Sequence, residues 1–253
     1  MAKRGRAVPT MLKHDAIVEA VVEIRFDMRQ GTIPEIFFGR LAEYPPWKGF
    51  EQRPMPAYQI PAPLRQADPN LRFQPVFELA ASDKKRAIRV GQYVLSYHRL
   101  TPYVGWARFK DELYEAIDEL FSATEGLTVR RLGLRYINAL QTDLHGIGSI
   151  LDLDLRLTIA DEDISRNVNI NFTTEVSADT MCTVRIATAE FVQGQLPPNS
   201  SVYIDVDVFT KDPFKTEDKA EVKRWVELAH TKEKERFFQL LKDETVDSLT
   251  KEG

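Results

Sequence analysis

Alternation of apolar and polar residues with a period of two is the feature that most constrains this chain. In residues 18–28 the apolar side chains of Val18, Val22 and Phe26 fall on one face, and charged side chains fall on most of the other. The same alternation recurs in three later segments, residues 151–157, 167–172 and 202–208. Successive side chains of a strand point to opposite faces, so each segment predicts a strand with one apolar and one polar face. Such strands are typical of antiparallel sheets that have one side in water.

Two segments instead carry apolar residues at helical spacing. Between Trp106 and Phe121 they recur every three or four residues, which predicts an amphipathic helix with Phe109 and Leu113 in the core. Asp218 and Glu221 provide the start signal of a second, long helix that is expected to run to the C-terminus. We expect that helix to lie across the apolar side of the sheet that the strands in the second half of the chain form. The predicted fold class is therefore α+β, with antiparallel sheet and a few amphipathic helices.

The chain has 253 residues, which fits one unit or two closely packed subdomains at about 15–142 and 143–253. Eight of its 14 prolines fall in residues 44–75, which predicts an ordered wrap with little regular structure. Residues 1–10 are basic, and we expect a frayed terminus there.

Composition excludes several classes of protein. No apolar run approaches the roughly 20 residues that a membrane-spanning helix needs, and no apolar stretch of a secretory signal follows the basic N-terminus. We therefore expect a cytoplasmic protein. Cys182 is the only cysteine, which excludes a disulfide within the chain and a multi-cysteine metal site. It is predicted to be a buried strand residue.

Charge is distributed unequally along the chain. Residues 1–142 hold 21 Lys and Arg against 16 Asp and Glu, whereas residues 143–253 hold 13 against 22. Such halves can attract a charged partner or each other in a homo-oligomer, although dispersed surface charge also keeps proteins soluble. The sequence pI of about 5.7 argues against general affinity for nucleic acid.

Motifs that carry known chemistry are absent from the sequence. It contains no phosphate-binding glycine loop, no His-Glu-x-x-His zinc motif and no Gly-x-Ser-x-Gly nucleophile motif. The four histidines, His14, His98, His145 and His230, are scattered without metal-ligand spacing and are expected to be structural or on the surface. We therefore predict no cofactor, and favour a protein without enzymatic activity.

Arginines form the first candidate site. Arg131 and Arg135 share a face of one predicted strand and could combine with Arg25 and Arg89 to bind phosphate or a partner's carboxylates. An unpaired buried charge is costly, so each arginine must be paired within the fold or must face a partner. Glu19 and Glu23, on the opening strand, are the candidate internal partners.

Aspartates form a weaker candidate site. If the strands at 151–157 and 202–208 were neighbours, Asp152, Asp154, Asp205 and Asp207 would point the same way and could hold Mg²⁺ or Ca²⁺. The ordinary interpretation of these residues is the solvated face of a sheet, and we therefore predict no metal.

Four motifs give the chain a wider resemblance. They are Ala20–Phe26 (AVVEIRF), Leu95–Tyr103 (LSYHRLTPY) leading to Trp106 and Phe109, Gly133–Asn138 (GLRYIN), and Phe237–Glu244 (FFQLLKDE). In their order and spacing the chain resembles a sporadically distributed, largely uncharacterised prokaryotic family of similar length. The resemblance supplies no catalytic residue. It implies a context, because patchy distribution is typical of genes in mobile or defence-related islands.

These observations predict an interaction protein without enzymatic activity, antitoxin-like, chaperone-like or an accessory partner of a protein encoded nearby. The alternative is a metal-dependent nuclease or another protein that processes nucleotides, resting on the aspartates and arginines. A nucleic-acid partner is not favoured.

Overall fold

A computed structural model describes residues 8, 9, 12–29, 31, 33–124, 126–192 and 196–250. The basic residues Lys3, Arg4 and Arg6 of the expected frayed terminus lie outside the described residues. None of the described helices is both long enough and apolar enough to cross a membrane.

Eleven strands and six helices make up the described part of the chain. The strands are β1 (Ile17–Asp27), β2 (Glu51–Pro54), β3 (Phe77–Ala80), β4 (Arg86–Gly91), β5 (Val94–Leu100), β6 (Thr128–Gln141), β7 (Thr158–Ile159), β8 (Glu162–Asp163), β9 (Asn169–Ser177), β10 (Thr180–Thr188) and β11 (Ser200–Thr210). The helices are α1 (Pro34–Glu43), α2 (Ala62–Ala67), α3 (Trp106–Ala123), α4 (Thr142–His145), α5 (Lys219–Gln239) and α6 (Asp243–Leu249).

Nine of these strands form one sheet in the order β2-β3-β4-β5-β1-β6-β11-β10-β9, and the other two form a separate hairpin. All eight pairings in the large sheet are antiparallel. The pairing of β6 with β11 joins residues 15–142 to residues 143–253 within the same sheet. The predicted α+β class with antiparallel sheet is confirmed.

The proline-rich segment at residues 44–75 contains edge strand β2, a 3₁₀ turn at Pro56–Gln59 and helix α2. Trp47 is buried in the main core, and Arg72 forms an ion pair with Asp27 of β1. The segment is therefore held to the sheet by both apolar and charged contacts.

The alternation of β1 separates the two faces of the sheet. Ala20, Val22, Ile24 and Phe26 are completely buried, whereas the residues between them are partly exposed. Cys182 of β10 is also completely buried, on the same core-facing side as its paired residue Val208.

Helices α3 and α5 cover the core-facing side of the sheet. Phe109 and Leu113 of α3 are completely buried, and Trp106 is only partly buried. Helix α5 packs on β6 and β11, and the Asp218 carboxylate caps it by accepting from the Ala220 N–H at 2.8 Å. The predicted C-terminal helix across the sheet is thus confirmed. It ends at Gln239, earlier than predicted, because the chain leaves the helix and Leu241 forms an isolated antiparallel β-bridge with Leu153.

The prediction of a strand at residues 151–157 is wrong. Residues Ile150–Asp152 form a 3₁₀ turn that is closed by a capping box between Ser149 and Asp152, and Leu151 is 45% exposed. Short polar side chains that bond to nearby backbone groups compete with strand pairing, and here the local bonds prevail.

Leu113→Ala is expected to lower the free energy of unfolding by about 2–5 kcal/mol, because it removes buried apolar surface and leaves a cavity. Leu228→Ala on α5 is the matched control, since Leu228 is 42% exposed and Leu113 is 0% exposed. Reversible denaturant titration measures both. Equal losses in the two variants would show that the buried face of α3 is misassigned.

Candidate functional site

A groove of about 330 Å³ lies on the side of the sheet opposite α3 and α5, and we refer to it as the charged groove. The side follows from β6, where Leu134 and Tyr136 point into the core while Arg131 and Arg135 alternate with them. All four predicted arginines line the groove. The lining residues used below are Glu19, Glu23, Arg25, Arg89, Ser96, His98, Arg131, Arg135 and Asp207.

Glu23 is the partner of two of the arginines. Its Oε1 atom lies 2.7 Å from Nε of Arg25 and 3.0 Å from Nη1 of Arg131. Arg131 also lies 3.8 Å from Asp207 on β11 and stacks over the Phe209 ring at 4.7 Å. A single carboxylate of β1 therefore ties together charges from β1 and β6.

Arg135 pairs with Asp205 and not with Glu19 or Glu23. Two hydrogen bonds of 2.7 and 2.6 Å join its guanidinium to both carboxylate oxygens. Tyr203 donates a third bond to Asp205 at 3.0 Å. The Asp205 side chain is only 8% exposed, and the hydrogen bond to it raises the pKa of Arg135. Bidentate pairs of this kind are strong and fix the orientation of both partners.

Asp207, a carboxylate of the groove, has a pKa that is shifted from its ordinary value. Burial raises its pKa to about 6, against the opposing effect of Arg131 and Arg135. It therefore begins to lose its charge as the pH falls below neutrality.

The rim of the groove is built from β4 and the proline-rich segment. Arg89 donates to Glu78 of β3 at 2.8 Å. The Arg25 guanidinium lies 5.0 Å from the centre of the Phe73 ring, a cation–π contact, and Pro75 lines the groove beside it. The proline-rich segment thus contributes directly to the site.

A chain of three hydrogen-bonded side chains lies along β5 and β1. Ser96 Oγ is 2.8 Å from His98 Nε2, and His98 Nδ1 is 2.7 Å from Glu19 Oε1. Burial lowers the pKa of His98, and nearby Arg89 adds to this effect. Burial raises the pKa of Glu19, but the hydrogen bond and electrostatic attraction of His98, followed by the charges of Arg89 and Arg135, outweigh it, so the net pKa is lowered.

These directions fix the protonation of the chain. An ionised Glu19 carboxylate can only accept, so Nδ1 of a neutral His98 carries the hydrogen. Nε2 is then an acceptor, and Ser96 donates its hydroxyl hydrogen to it. The Glu19–His98 contact is therefore a hydrogen bond between a carboxylate and a neutral imidazole.

The four aspartates do not form the predicted acidic face. Asp152 accepts hydrogen bonds from the Gly148 and Ser149 N–H groups, both at 2.9 Å, and caps its own turn. Asp154 lies beside it, where its N–H donates to Leu240. Only Asp205 and Asp207 lie on β11, because residues 151–157 do not form the neighbouring strand. Among the described residues, no group of three or more His, Cys, Asp or Glu is placed to hold a metal ion.

Sequence reasoning missed Ser96, His98 and Asp207 as members of one site. A signal was present, since Ser96 and His98 are two residues apart and a strand places such residues on one face. The pairing of β5 with β1, which brings Glu19 to His98, depends on residues about 80 positions apart and has no local signature.

A second pocket, of about 420 Å³, lies on the core-facing side between α5, the start of β1 and the loop before α3. Tyr103 and Tyr136 share a hydrogen bond of 2.9 Å there, and the His230 ring stacks on Trp106 at 3.8 Å. Glu233 is 5% exposed, and burial raises its pKa to about 8. This pocket therefore contains a carboxyl group that stays protonated near neutral pH.

Comparison of the chain with models of known protein families finds no match, and comparison with curated proteins finds none either. The family resemblance of the motifs stays a prediction.

Arg135→Ala is expected to lower the free energy of unfolding by about 1–3 kcal/mol, because the nearly buried Asp205 loses two charged hydrogen bonds. Arg156→Ala is the control, since the Arg156–Asp163 pair is 81% and 51% exposed. Such an exposed pair contributes about 0–1 kcal/mol. Denaturant titrations that give the same loss for both variants would contradict the structural role of Arg135.

Glu233→Gln is expected to stabilise the protein at alkaline pH. The folded-state pKa of Glu233, about 8, lies above the ordinary 4.5, so wild-type stability falls as the pH rises between these values. The glutamine variant lacks this loss. Its advantage in melting temperature should therefore be small near pH 4.5 and largest above pH 8. A constant difference across this range would contradict the burial of an ionisable Glu233.

Proposed function

We propose that this chain is a protein-interaction module that binds an acidic segment of another protein in the charged groove. The observation that carries the proposal is the convergence of four partly exposed arginines in one groove lining. Carboxylates of the fold pair with all four, Glu78 with Arg89 and Asp205 with Arg135 among them, so the groove offers guanidinium donors and not a net positive charge. The planar fork of a guanidinium matches a carboxylate with two parallel hydrogen bonds.

Partial exposure makes these arginines available to a partner. Their side chains are 26% exposed for Arg131, 33% for Arg25 and Arg89, and 43% for Arg135. Ion pairs that remain in contact with water are weak. A partner carboxylate can therefore share a guanidinium of Arg25 or Arg89 at little cost to the fold.

The sequence resemblance supplies the setting of the proposal. An antitoxin-like, chaperone-like or accessory protein of a mobile or defence-type locus acts on a protein encoded beside it, in the cytoplasm. The product of the neighbouring gene is accordingly the first partner to test. A second copy of this chain is an alternative partner, because the acidic second half could supply the carboxylates.

A metal-dependent nuclease or a nucleotide-processing protein remains the alternative function. Phosphate oxygens suit the same guanidinium groups as carboxylates do. The experiment therefore includes a test for cleavage of nucleic acid.

Loss of two groove charges is expected to weaken partner binding. The double variant Arg25→Gln/Arg89→Gln should raise the Kd for the neighbouring gene product by about tenfold, or about 1.4 kcal/mol, and reduce its salt dependence. Arg156→Gln/Arg224→Gln removes the same net charge from side chains that are 81% and 69% exposed, and should change the Kd less than about twofold. Isothermal titration calorimetry measures both, beside a melting curve for each variant.

Equal changes in Kd for the two double variants would show that the groove is not part of the interaction surface. Analytical ultracentrifugation measures self-association of the chain. Self-association that is lost only in the groove variant would identify a second copy as the occupant of the groove. Mg²⁺-dependent cleavage of DNA or RNA that is lost in Asp205→Asn would contradict the proposal and favour the enzymatic alternative.

A further inference from the structure

Ser96, His98 and Glu19 connect a hydroxyl, an imidazole and a carboxylate in series. The two links are 2.8 Å from Ser96 Oγ to His98 Nε2 and 2.7 Å from His98 Nδ1 to Glu19 Oε1. This is the order and the spacing in which serine hydrolases activate a nucleophile, whatever their fold. We propose that Ser96 is the nucleophile of an acyl-transfer reaction in the charged groove, with His98 as its general base and Glu19 as the residue that orients His98.

The tautomer of His98 is the one that this chemistry requires. A general base must be neutral and must direct a lone pair at the hydroxyl whose proton it takes. The carboxylate of Glu19 accepts from Nδ1, which leaves the lone pair of Nε2 facing Ser96 Oγ. The groups that act on His98 are Glu19 of β1, Arg89 of β4 and Glu78 of β3, and with burial their combined effect favours the neutral ring.

Strand pairing holds the three groups in place. Ser96 and His98 stand on the same face of β5, and Val21 of β1, two residues from Glu19, pairs with His98. Both strands lie inside the sheet and not at its edges. Groups carried on paired internal strands are pre-organised, which lowers the entropy cost of reaching a reactive geometry.

Arg89 is placed to stabilise negative charge in the reaction. It is paired with Ser96 across β4 and β5, and its charge acts on both His98 and Glu19. A cation near the attacked carbonyl stabilises the oxyanion that develops in the transition state. The partly exposed guanidinium groups of the groove further point to an ester with a second, anionic group as the substrate class. This choice of substrate rests on the proposed anion preference of the groove, whereas the reactivity of Ser96 does not.

The reaction is balanced without any further reagent but water. Ser96 Oγ attacks the ester carbonyl carbon while its proton passes to His98 Nε2. The ester C–O bond then breaks, and the alcohol leaves with the proton from His98. Water attacks the acyl group on Ser96 and gives a proton to His98, which returns it to the Ser96 oxygen as the carboxylic acid is released.

A fluorophosphonate probe tests the reactivity of Ser96 directly, since it forms a stable bond only with an activated serine. Intact-mass spectrometry of the full chain should show one adduct, and peptide mapping should place it on Ser96. Ser96→Ala should abolish the adduct, and His98→Gln should slow its formation at least about tenfold, because the base is lost. Ser82→Ala, at an exposed serine in the turn between β3 and β4, should label like the wild type.

Glu19→Gln distinguishes a Glu19 that orients His98 from a Glu19 that only packs against it. It removes the charge that raises the pKa of His98, so the midpoint of the labelling rate against pH should move to lower pH. A purely structural Glu19 would leave this midpoint unchanged. Melting curves identify any variant that fails to fold, and His98→Gln serves if Ser96→Ala is such a case.

Absence of an adduct on the folded wild-type chain would overturn the inference, as would equal labelling rates in wild type and His98→Gln. Hydrolysis of mono-4-nitrophenyl succinate, an anionic ester, should exceed that of neutral 4-nitrophenyl butyrate, and the reverse order would contradict the substrate class. Labelling of Ser96 without binding of the neighbouring gene product would leave this inference standing while the proposed protein interaction fails.

Discussion

The register of four central strands, β5, β1, β6 and β11, is the constraint on which the rest of the structure depends. A strand sends alternate side chains to opposite faces, so one register assigns Leu134 and Tyr136 to the core and Arg131 and Arg135 to the groove. A slip of one residue in β6 would bury Arg131 and Arg135 and expose Leu134 and Tyr136. Burial of the apolar set against α3 and α5 therefore determines the position of the charges as well.

Charges that are collected on one face of a sheet must neutralise each other. Glu23 joins Arg25 to Arg131, and Asp205 holds Arg135 through two hydrogen bonds. The four guanidinium groups of the groove lining stay partly exposed, and His98 lies beside a carboxylate and an arginine. The partly exposed guanidinium groups are the basis of the proposed binding of anions, whereas burial keeps the imidazole neutral.

Local pattern predicted the elements, and long-range pairing decided the site. The two faces of β1, the buried side of α3 and the Asp218 cap of α5 could be predicted because spacing and capping are properties of neighbouring residues. The placement of Arg131 and Arg135 on one face followed for the same reason. The strand at 151–157 was predicted wrongly, because the bonds of Ser149 and Asp152 overrode its alternation. Neither the pairing of Arg135 with Asp205 nor the approach of Glu19 to His98 has a signature in the local sequence, since each joins strands far apart in the chain.

Burial keeps His98 a neutral imidazole, and the hydrogen bond from its Nδ1 to Glu19 directs its Nε2 lone pair at Ser96. Long-range ¹H–¹⁵N NMR spectra of the histidine side chains, recorded from about pH 5 to pH 8 and assigned with His98→Gln, test it most directly. The account predicts that His98 carries its hydrogen on Nδ1 near pH 7 and titrates below the ordinary pKa of 6.5. A doubly protonated ring near pH 7, or a hydrogen on Nε2 in the neutral form, would contradict it.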